Sequence, residues 1–412
     1  MSNSANTLES LNGMFKKVYN DQEVNLIPDG VKLLPMIPFS KKNQIGELFS
    51  VPLVLKLEHG VTFAVSGDGA FALNAPISGA TKEAQVQGTQ MLLRSALSYS
   101  AVSRSVGAGE KAFKEATKFV VENMLRSMTK KLEIMMIYGQ VGYGVVSAAG
   151  LNGNSEYQID INEKEWAPGI WAGAEGLPLE IRTANGATSR GVSNVLKVDY
   201  DNRAIVLDTA LSGVVAGDVL WHKSAYGKEF AGIHKIISNT GSLFGISAAE
   251  YSLWKGNTLT LPSSTPLSFS KLQDAVGLAA GKGLDKKVVV LVNPDSWADL
   301  MNQMDALRHY DSSYSKSIME NGAMGIKFYG QNGEMEIQSS IFVKRGYAYG
   351  ICADEFERIG STDITFKRPG KGDDFFRELE NNAGYELRSY SDQCVFSYKP
   401  GINFMIANIS NG

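Results

Sequence analysis

Residues 109–138 read GEKAFKEATKFVVENMLRSMTKKLEIMMIY, and this stretch predicts one long amphipathic helix. Apolar or small residues recur at three- and four-residue steps, which places them on one buried face. Charged residues recur at the same steps on the opposite face, where Glu122 and Arg126 can pair. The helix would be about 45 Å long at ~1.5 Å per residue, and Gly139 is its expected C-terminal stop. The predicted buried face consists of Phe113, Ala116, Val120, Met124, Met128, Leu132 and Met135.

The helix is preceded by residues 46–107, which are rich in glycine, serine and alanine. Two strand-like runs, at residues 51–55 and 60–65, are followed by Ser-Gly-Asp-Gly at 66–69, so we expect a hairpin between the two runs. An isolated two-stranded ribbon is only marginally stable in water. The segment is therefore expected to need a partner surface, and another copy of the same chain could supply it.

The overall composition excludes several classes of protein. A chain of 412 residues is expected to contain two or three domains plus arms. Its 40 basic and 43 acidic residues nearly cancel, so no global field attracts nucleic acid. Cys352 and Cys394 are too few for a disulfide scaffold or a cysteine zinc site, which fits a reduced intracellular assembly environment. The polar start predicts no secretory signal, and no apolar run is long enough to predict a membrane span.

The N-terminal residues and the region after the long helix differ in character. Residues 8–19 fit a short amphipathic helix, and the prolines that follow predict an extended arm to about Lys42. Residues 150–265 contain short strand-like runs separated by turns, of which Asp201-Asn202 is the clearest, so we predict an inserted β domain. Its tryptophans are expected to be packing residues: Trp166, Trp171, Trp221 and Trp254.

From residue 268 onward the pattern alternates between helix and strand. We predict a helix capped by Ser270, a buried strand at residues 288–292, and a helix that starts at Asn293-Pro294 and ends near Leu307. Asn332-Gly333 predicts a hairpin turn between the runs at 326–329 and 334–338. Three further strands are expected in the tail, at residues 385–390, 394–398 and 404–406.

The sequence contains no recognisable catalytic arrangement. Residues 277–283 resemble a phosphate-binding loop, but three residues separate its glycines where four are needed, and Gly283 replaces the required serine or threonine. We predict a helix end and a turn there. The segment 245–249 lacks the second glycine of a nucleophile elbow. We therefore predict that the chain is not an enzyme and has no catalytic, cofactor-binding or metal-ligating residues. Its histidines are expected to be surface or packing residues: His59, His222, His234 and His309.

The order of these parts resembles the major capsid protein of tailed bacteriophages, the Hong Kong 97-type fold. Residues 132–139 are similar to the end of that family's spine helix. Val-Asn-Pro-Asp-Ser-Trp at 292–297, with Leu300, is similar to the strand-to-helix junction of its axial domain, and residues 381–401 are similar to the return into its peripheral sheet. Residues 150–265 depart from a minimal version of this fold and are taken as an inserted domain.

The resemblance implies an α+β fold of the Hong Kong 97 type with an inserted β domain. It divides the chain into an N-terminal arm (1–45), an extended loop (46–107), a peripheral domain with the spine helix (108–149), an inserted β-rich domain (150–265), an axial domain (266–380) and return strands of the peripheral domain (381–412).

The implied function is that of a structural protein of the virion, assembled in the host cytoplasm. Copies of the chain would form hexamers and pentamers of an icosahedral head shell around the phage genome. Further expected partners are scaffolding or decoration proteins and, through weak nonspecific contacts, the packaged double-stranded DNA; no membrane partner is expected. The basic residues at 367–372 are followed by two aspartates, which favours a solvated loop over a DNA clamp.

Two other classes of function stay open at this stage. The long helix could cross an ordinary α/β enzyme of the hydrolase kind. The chain could also be another virion component, such as a decoration or ring protein, or the shell protein of a cellular nanocompartment. Some members of the resembled family crosslink a loop lysine to a neighbouring asparagine. Lys56 and Lys82 lie in the loop, but surface lysines are common, and we expect no crosslink here.

Overall fold

The computed structural model describes residues 27–40, 42, 48–67, 69–98, 110–308, 326–330, 333–367, 376–379 and 384–411. It has a mixed helix and sheet fold, as predicted. The predicted helix at 8–19 lies outside these ranges, as does most of the basic stretch at 367–372. The α-helices in the described ranges are α1 (Leu33–Met36), α2 (Glu110–Tyr138), α3 (Pro168–Trp171), α4 (Ile233–Ser238), α5 (Phe269–Ala280) and α6 (Pro294–Arg308).

Helix α2 confirms the prediction made for the long amphipathic stretch. It runs for 29 residues and ends one residue before Gly139. A Cβ at Gly139 would lie 2.2 Å from the carbonyl oxygen of Phe230, so only glycine permits this close approach of two chain segments. Of the predicted apolar stripe, Val120 is only half-buried, whereas four residues nearer the end of the helix are buried: Met124, Met128, Leu132 and Met135.

The last two turns of α2 are not amphipathic. Glu122 and Arg126 are exposed as expected, but every residue from 132 to 139 is buried. At this end the helix packs on α1, on α4 and on the sheet strand Gly384–Ser397, so no face is left for solvent. A helix surrounded in this way is apolar on all sides, which explains the run Ile-Met-Met-Ile at residues 134–137.

A six-stranded sheet forms the second large element, in the order β12-β20-β16-β13-β15-β14. The central strand β13 is buried on both faces, as predicted for its run of valines. Val288, Val290 and Val292 face the core under α5 and α6, while Val289 and Leu291 face the main core of the molecule. The strands are β12 (Asn257–Thr260), β13 (Val288–Val292), β14 (Ile326–Gly330), β15 (Gly333–Ser339), β16 (Tyr347–Ile351) and β20 (Phe404–Ala407).

Most local predictions in this region are confirmed. The helix α6 begins at Pro294, and the side chain of Asn293 accepts from the backbone N–H of Asp295 at 3.0 Å. Strands β14 and β15 form the predicted hairpin, and α5 ends at Ala280, where the predicted turn follows. The predicted cap Ser270 is wrong. The cap is Ser268, whose hydroxyl accepts from the N–H of Lys271, because the chain becomes helical two residues earlier.

A four-stranded sheet lies under α2. Its longest strand, β19 (Gly384–Ser397), pairs with β17 (Phe356–Thr365) and β18 (Phe376–Glu378). Along its other edge β19 pairs with β3 (Thr89–Ser98), from Gly384 opposite Ser98 to Gln393 opposite Thr89. The two tail strands predicted at 385–390 and 394–398 are thus parts of one continuous strand, because the ladder on β3 and then on β17 supports its whole length.

A closed barrel lies between α2 and the six-stranded sheet along the chain, with strand order β4-β5-β8-β7-β6-β9. The predicted turn at Asp201-Asn202 joins β7 to β8 and is confirmed. The tryptophans predicted to be packing residues are buried, and Trp166 stacks on Trp171 with ring centroids 6.1 Å apart. The strands are β4 (Gly144–Leu151), β5 (Tyr157–Ile161), β6 (Pro178–Arg182), β7 (Ser189–Asp199), β8 (Ala204–Leu207) and β9 (Val219–His222).

The extended loop departs from its predicted pairing. Strand β1 (Phe49–Lys56) pairs with β2 (Ala80–Val86), and residues 57–79 contain no strand in their described part. The predicted partner at residues 60–65 therefore does not pair with 51–55. The physical reason is burial. Strand β2 places Ala84 and Val86 in the core, whereas residues 60–65 have no surface of their own chain to cover.

Candidate assembly surface

The root of the extended loop is anchored to other parts of the same chain. The N–H of Gln85 in β2 donates to the carbonyl oxygen of Phe244 at 2.9 Å, in the turn between β10 (Ser242–Leu243) and β11 (Ile246–Ser247). Lys82 of β2 forms an ion pair with Glu250 at 3.1 Å. Phe49 of β1 packs edge-on against Phe396 of β19. The loop thus leaves the subunit in a fixed direction.

The tip of this loop, residues 57–79, exposes a row of large apolar side chains. Phe63 is 90% exposed, Leu73 79% and Phe71 51%, although a monomeric protein normally avoids a contiguous apolar surface of this kind. The segment contains no lysine or arginine. The other large apolar residues exposed there are Leu57, Val61, Val65 and Ile77.

The two limbs of the tip are joined by hydrogen bonds that do not form a strand ladder. The N–H of Asn74 donates to the hydroxyl of Thr62 at 2.8 Å, and the Asn74 amide donates to the carbonyl of Val61 at 2.9 Å. Closer to the root, the N–H of Gly79 donates to Glu58 at 2.8 Å. The limbs therefore stay together while their apolar side chains project outward.

Hydrogen bonds to a buried carboxylate and from a buried guanidinium hold the N-terminal arm against the rest of the chain. Glu133 of α2 is fully buried, and its carboxylate accepts from the N–H groups of Lys32, Leu33 and Leu34 at 2.8–3.0 Å. At the other end of α1, Arg358 of β17 donates to the carbonyl oxygen of Ile37 at 2.6 Å. Burial raises the pKa of Glu133, and these three hydrogen bonds oppose the shift.

An ion pair between Lys344 and Glu165 joins the barrel to the six-stranded sheet. The ammonium of Lys344 donates to Glu165 at 2.6 Å, and the Tyr347 hydroxyl donates to the same carboxylate at 2.7 Å. Burial by itself would raise the pKa of Glu165, but Lys344 and these hydrogen bonds hold it below its usual value. The Lys344 ammonium also lies 4.4 Å from the ring centre of Tyr138, the last residue of α2. Three parts of the fold therefore meet at this pair.

Glu229 is a buried carboxyl group at the seam between α2 and the barrel. The Tyr143 hydroxyl donates to it, and the N–H of Gln140 donates to it at 3.2 Å. Burial raises the pKa of Glu229 to about 7, although both hydrogen bonds oppose the shift. The ring of His222 packs on Tyr143 at 4.5 Å between centroids. Glu229 is therefore a carboxyl group whose charge changes near neutral pH.

We predict that Glu229→Gln removes a pH-dependent loss of stability. A carboxyl group with a raised pKa favours folding in its protonated form, so its contribution is complete below ~4.5, the unfolded value, and is lost as the pH rises through about 7. The loss amounts to about 3 kcal/mol at most. Chemical denaturation at several pH values should show a flatter profile for Glu229→Gln than for the unchanged chain. Glu122→Gln, which changes an exposed carboxylate, should keep the original profile, and equal profiles for both variants would contradict the prediction.

The described residues offer little for chemistry. They contain no group of three or more histidine, cysteine, aspartate or glutamate side chains able to hold a metal ion. Both cysteines are buried and free. None of the described helices combines the length and apolarity needed to cross a membrane. Of the loop lysines, Lys56 is exposed at the end of β1, whereas Lys82 is held by Glu250.

Comparison with solved structures identifies the fold. No protein-family model and no curated protein matches this sequence. A chain of the cyanophage A-1(L) capsid asymmetric unit is 12% identical with a TM-score of 0.55, and the match covers 98% of this chain and 99% of that one. The capsid chain of the native GTA particle is 6% identical with a TM-score of 0.52, and coverage is 99% and 100%. The chain has the phage capsid fold. The capsid of Myoviridae phage XM1 matches it similarly, at 8% identity, a TM-score of 0.50 and coverage of 99% and 100%.

Within this capsid fold, the sequence predicted the extended loop that needs a partner surface but gave no expectation for the residues that fix the arm. Glu133 stood inside an apolar run, and that isolation was the available signal, because a carboxylate among buried residues needs hydrogen-bond donors. Arg358 gave no such signal, since it directly follows Glu357 and does not stand alone within an apolar run. The geometry of the capsid fold alone brings the two side chains to opposite ends of α1.

Proposed function

We propose that this chain is the major capsid protein of a tailed bacteriophage, and that its copies form the hexamers and pentamers of an icosahedral head shell. The observation that carries the proposal is the capsid fold itself, which extends over nearly the whole chain. The exposed apolar loop tip supports it independently, because such a surface is stable in water only when another surface covers it. The absence of an enzyme role is part of the same proposal.

In the proposed shell, the loop tip of each subunit lies across a neighbouring copy. Interfaces between permanently associated subunits commonly bury more than ~2,000 Å². At ~25 cal/mol per Å² of apolar area, the gross gain is tens of kcal/mol before ordering costs. Such a gain is enough to order a ribbon that is unstable alone. The nearly balanced charge of the chain also limits repulsion among many packed copies.

The parts of the chain take the following roles in this proposal. Residues 1–45 are the N-terminal arm and 46–107 the extended loop. Residues 108–149 and 381–412 form the peripheral domain, 266–380 the axial domain, and 150–265 the insertion, which contains the barrel apart from most of β4. The shell assembles in the host cytoplasm with a separate scaffolding protein, takes decoration proteins as optional additions, and touches the packaged DNA only weakly.

Sedimentation and negative-stain microscopy of the purified full-length chain test the proposal. We expect closed particles tens of nanometres wide, or, without scaffolding protein, subunits whose residues 57–79 exchange amide hydrogens rapidly because nothing covers them. A compact monomer whose residues 57–79 are already protected from exchange would overturn the capsid assignment. Closed particles formed by this chain alone would instead remove the need for a separate scaffolding protein.

A further inference from the structure

A cavity lies where the N-terminal arm, α2 and the barrel meet. Its volume is about 110 Å³, against the ~10–15 Å³ that admits one water molecule. The walls come from residues 27–31 of the arm, from α2, from residues 170–177 and from His222 of β9. The cavity therefore touches three parts of the fold and can hold a small ligand between them.

The charged groups around this cavity are mainly cationic. Arg126, Lys130 and Lys131 reach it from successive turns of α2, and the only acidic residue among its described lining residues is Asp29, which is exposed. Lys130 donates to the carbonyl oxygen of Ala172. Lys131 is partly buried and makes no hydrogen bond or ion pair with any described residue. Within the part of the chain that the structure describes, no counter-charge of the kind that burial normally requires pairs with this ammonium group.

The titration behaviour of these groups agrees with a missing negative charge. Burial and then the neighbouring Lys131 lower the pKa of Lys130 to about 8, and Glu175 opposes the shift only weakly. Burial lowers the pKa of Lys131. Burial, followed by Lys131 and Lys130, lowers the pKa of His222 to about 3. Each shift reports that the charged form of the base is disfavoured, which a bound anion would reverse.

We propose that this cavity is a binding site for a small tetrahedral oxyanion of the size of phosphate or sulfate. Lys131 and Lys130 supply charge, Arg126 lies at the edge, and Asn123 and Ser127 on the same helix face supply neutral donors. The bound anion links the arm to α2 and to the barrel loop. Because the site lies within one subunit, it does not depend on the proposed function of the chain.

Isothermal titration calorimetry of the full-length chain with inorganic phosphate tests this site. We expect saturable binding, and Lys131→Met should weaken it at least about ten-fold because a charge-assisted hydrogen bond is lost. Lys271→Met removes a partly exposed lysine on α5, outside the cavity, and should leave the affinity unchanged. Thermal unfolding of both variants checks that they fold. No phosphate binding, or equal binding by Lys131→Met and the unchanged chain, would overturn the site.

Two further measurements define the ligand. Inorganic sulfate keeps its charge across neutral pH, so its affinity should fall as the pH rises from about 7 to about 9, through the pKa of Lys130 at about 8. An affinity that rises over this range would contradict the assignment of Lys130.

A short DNA duplex added in competition identifies the source of the oxyanion. Displacement of phosphate assigns the site to the DNA backbone, and no displacement assigns it to a free anion.

Discussion

Replacing Phe63 and Phe71 by serine should lower the yield of particles at least about ten-fold while the subunit stays folded. Phe63 is 90% exposed and Phe71 51% exposed at the loop tip, so the isolated chain loses little burial at Phe63 and only part of a side chain's burial at Phe71 when they are removed. In the proposed shell each ring is covered by a neighbour, and burial of a phenylalanine contributes about 1.5–3 kcal/mol. The loss recurs in every subunit, so we expect at least a ten-fold lower yield of particles, roughly the effect of 1.4 kcal/mol on one contact.

Particle yield is measured by sedimentation and negative-stain microscopy, and folding by thermal unfolding of the unassembled chain. Ala64→Ser with Ala72→Ser is a matched control, because it places two serines in the same exposed loop without removing a ring. The control should assemble normally. If the phenylalanine variant assembled as well as the control, the loop tip would not be an interface. If the variant failed to fold, the assumption that the tip is unsupported in the subunit would be wrong.

Glu133→Ala should destabilise the subunit by about 4 kcal/mol. The substitution leaves the N–H groups of Lys32, Leu33 and Leu34 without their acceptor, and each unsatisfied buried group costs about 1–3 kcal/mol. The substitution also removes a negative charge close to the buried Arg358. Burial lowers the pKa of Arg358, and the charge of Glu133 opposes this shift. Residues 31–37 should lose protection from hydrogen exchange more than the rest of the chain.

Urea unfolding of the unassembled chain gives the change in free energy. Glu133→Gln keeps one carbonyl acceptor at the site and should cost roughly half as much as alanine. Glu122→Ala removes an exposed carboxylate from the same helix, and its effect should stay within about 0.5 kcal/mol. A cost below about 1 kcal/mol for Glu133→Ala would mean that α1 is held by its apolar contacts, Leu33 and Ile37, rather than by the carboxylate.

Sequence patterns predicted the elements whose signals are contained in a short window. The spacing of apolar residues predicted α2, and the run of valines predicted β13, because both patterns report how one element is surrounded. Asn293-Pro294 and the turn at Asp201-Asn202 fixed element ends through local hydrogen bonds and restricted backbone angles. The N-cap of α5 is Ser268 and not the predicted Ser270, because both serines can cap a helix and the sequence does not distinguish between them.

Pairings between distant segments were not predictable in this way. The loop strand β1 pairs with β2 across an intervening tip, although residues 60–65 have the same strand-like composition and lie closer along the chain. Strand β3 pairs with β19, on a segment nearly 300 residues away. Backbone hydrogen bonds are the same for every residue type, so a strand does not encode its partner; burial of side chains on a shared core selects it.

The sequence by itself determined the long helix, the buried central strand, the hairpins at residues 194–208 and 326–338, and a loop with no core of its own. Only the tertiary structure decided which strand closes the loop root, that six short strands form a closed barrel, and that Glu133 and Arg358 pin the arm at both ends. The reason is that local signals act through neighbouring residues, whereas the depth of a carboxylate and the choice of a strand's partner depend on surfaces that meet only after the chain has folded.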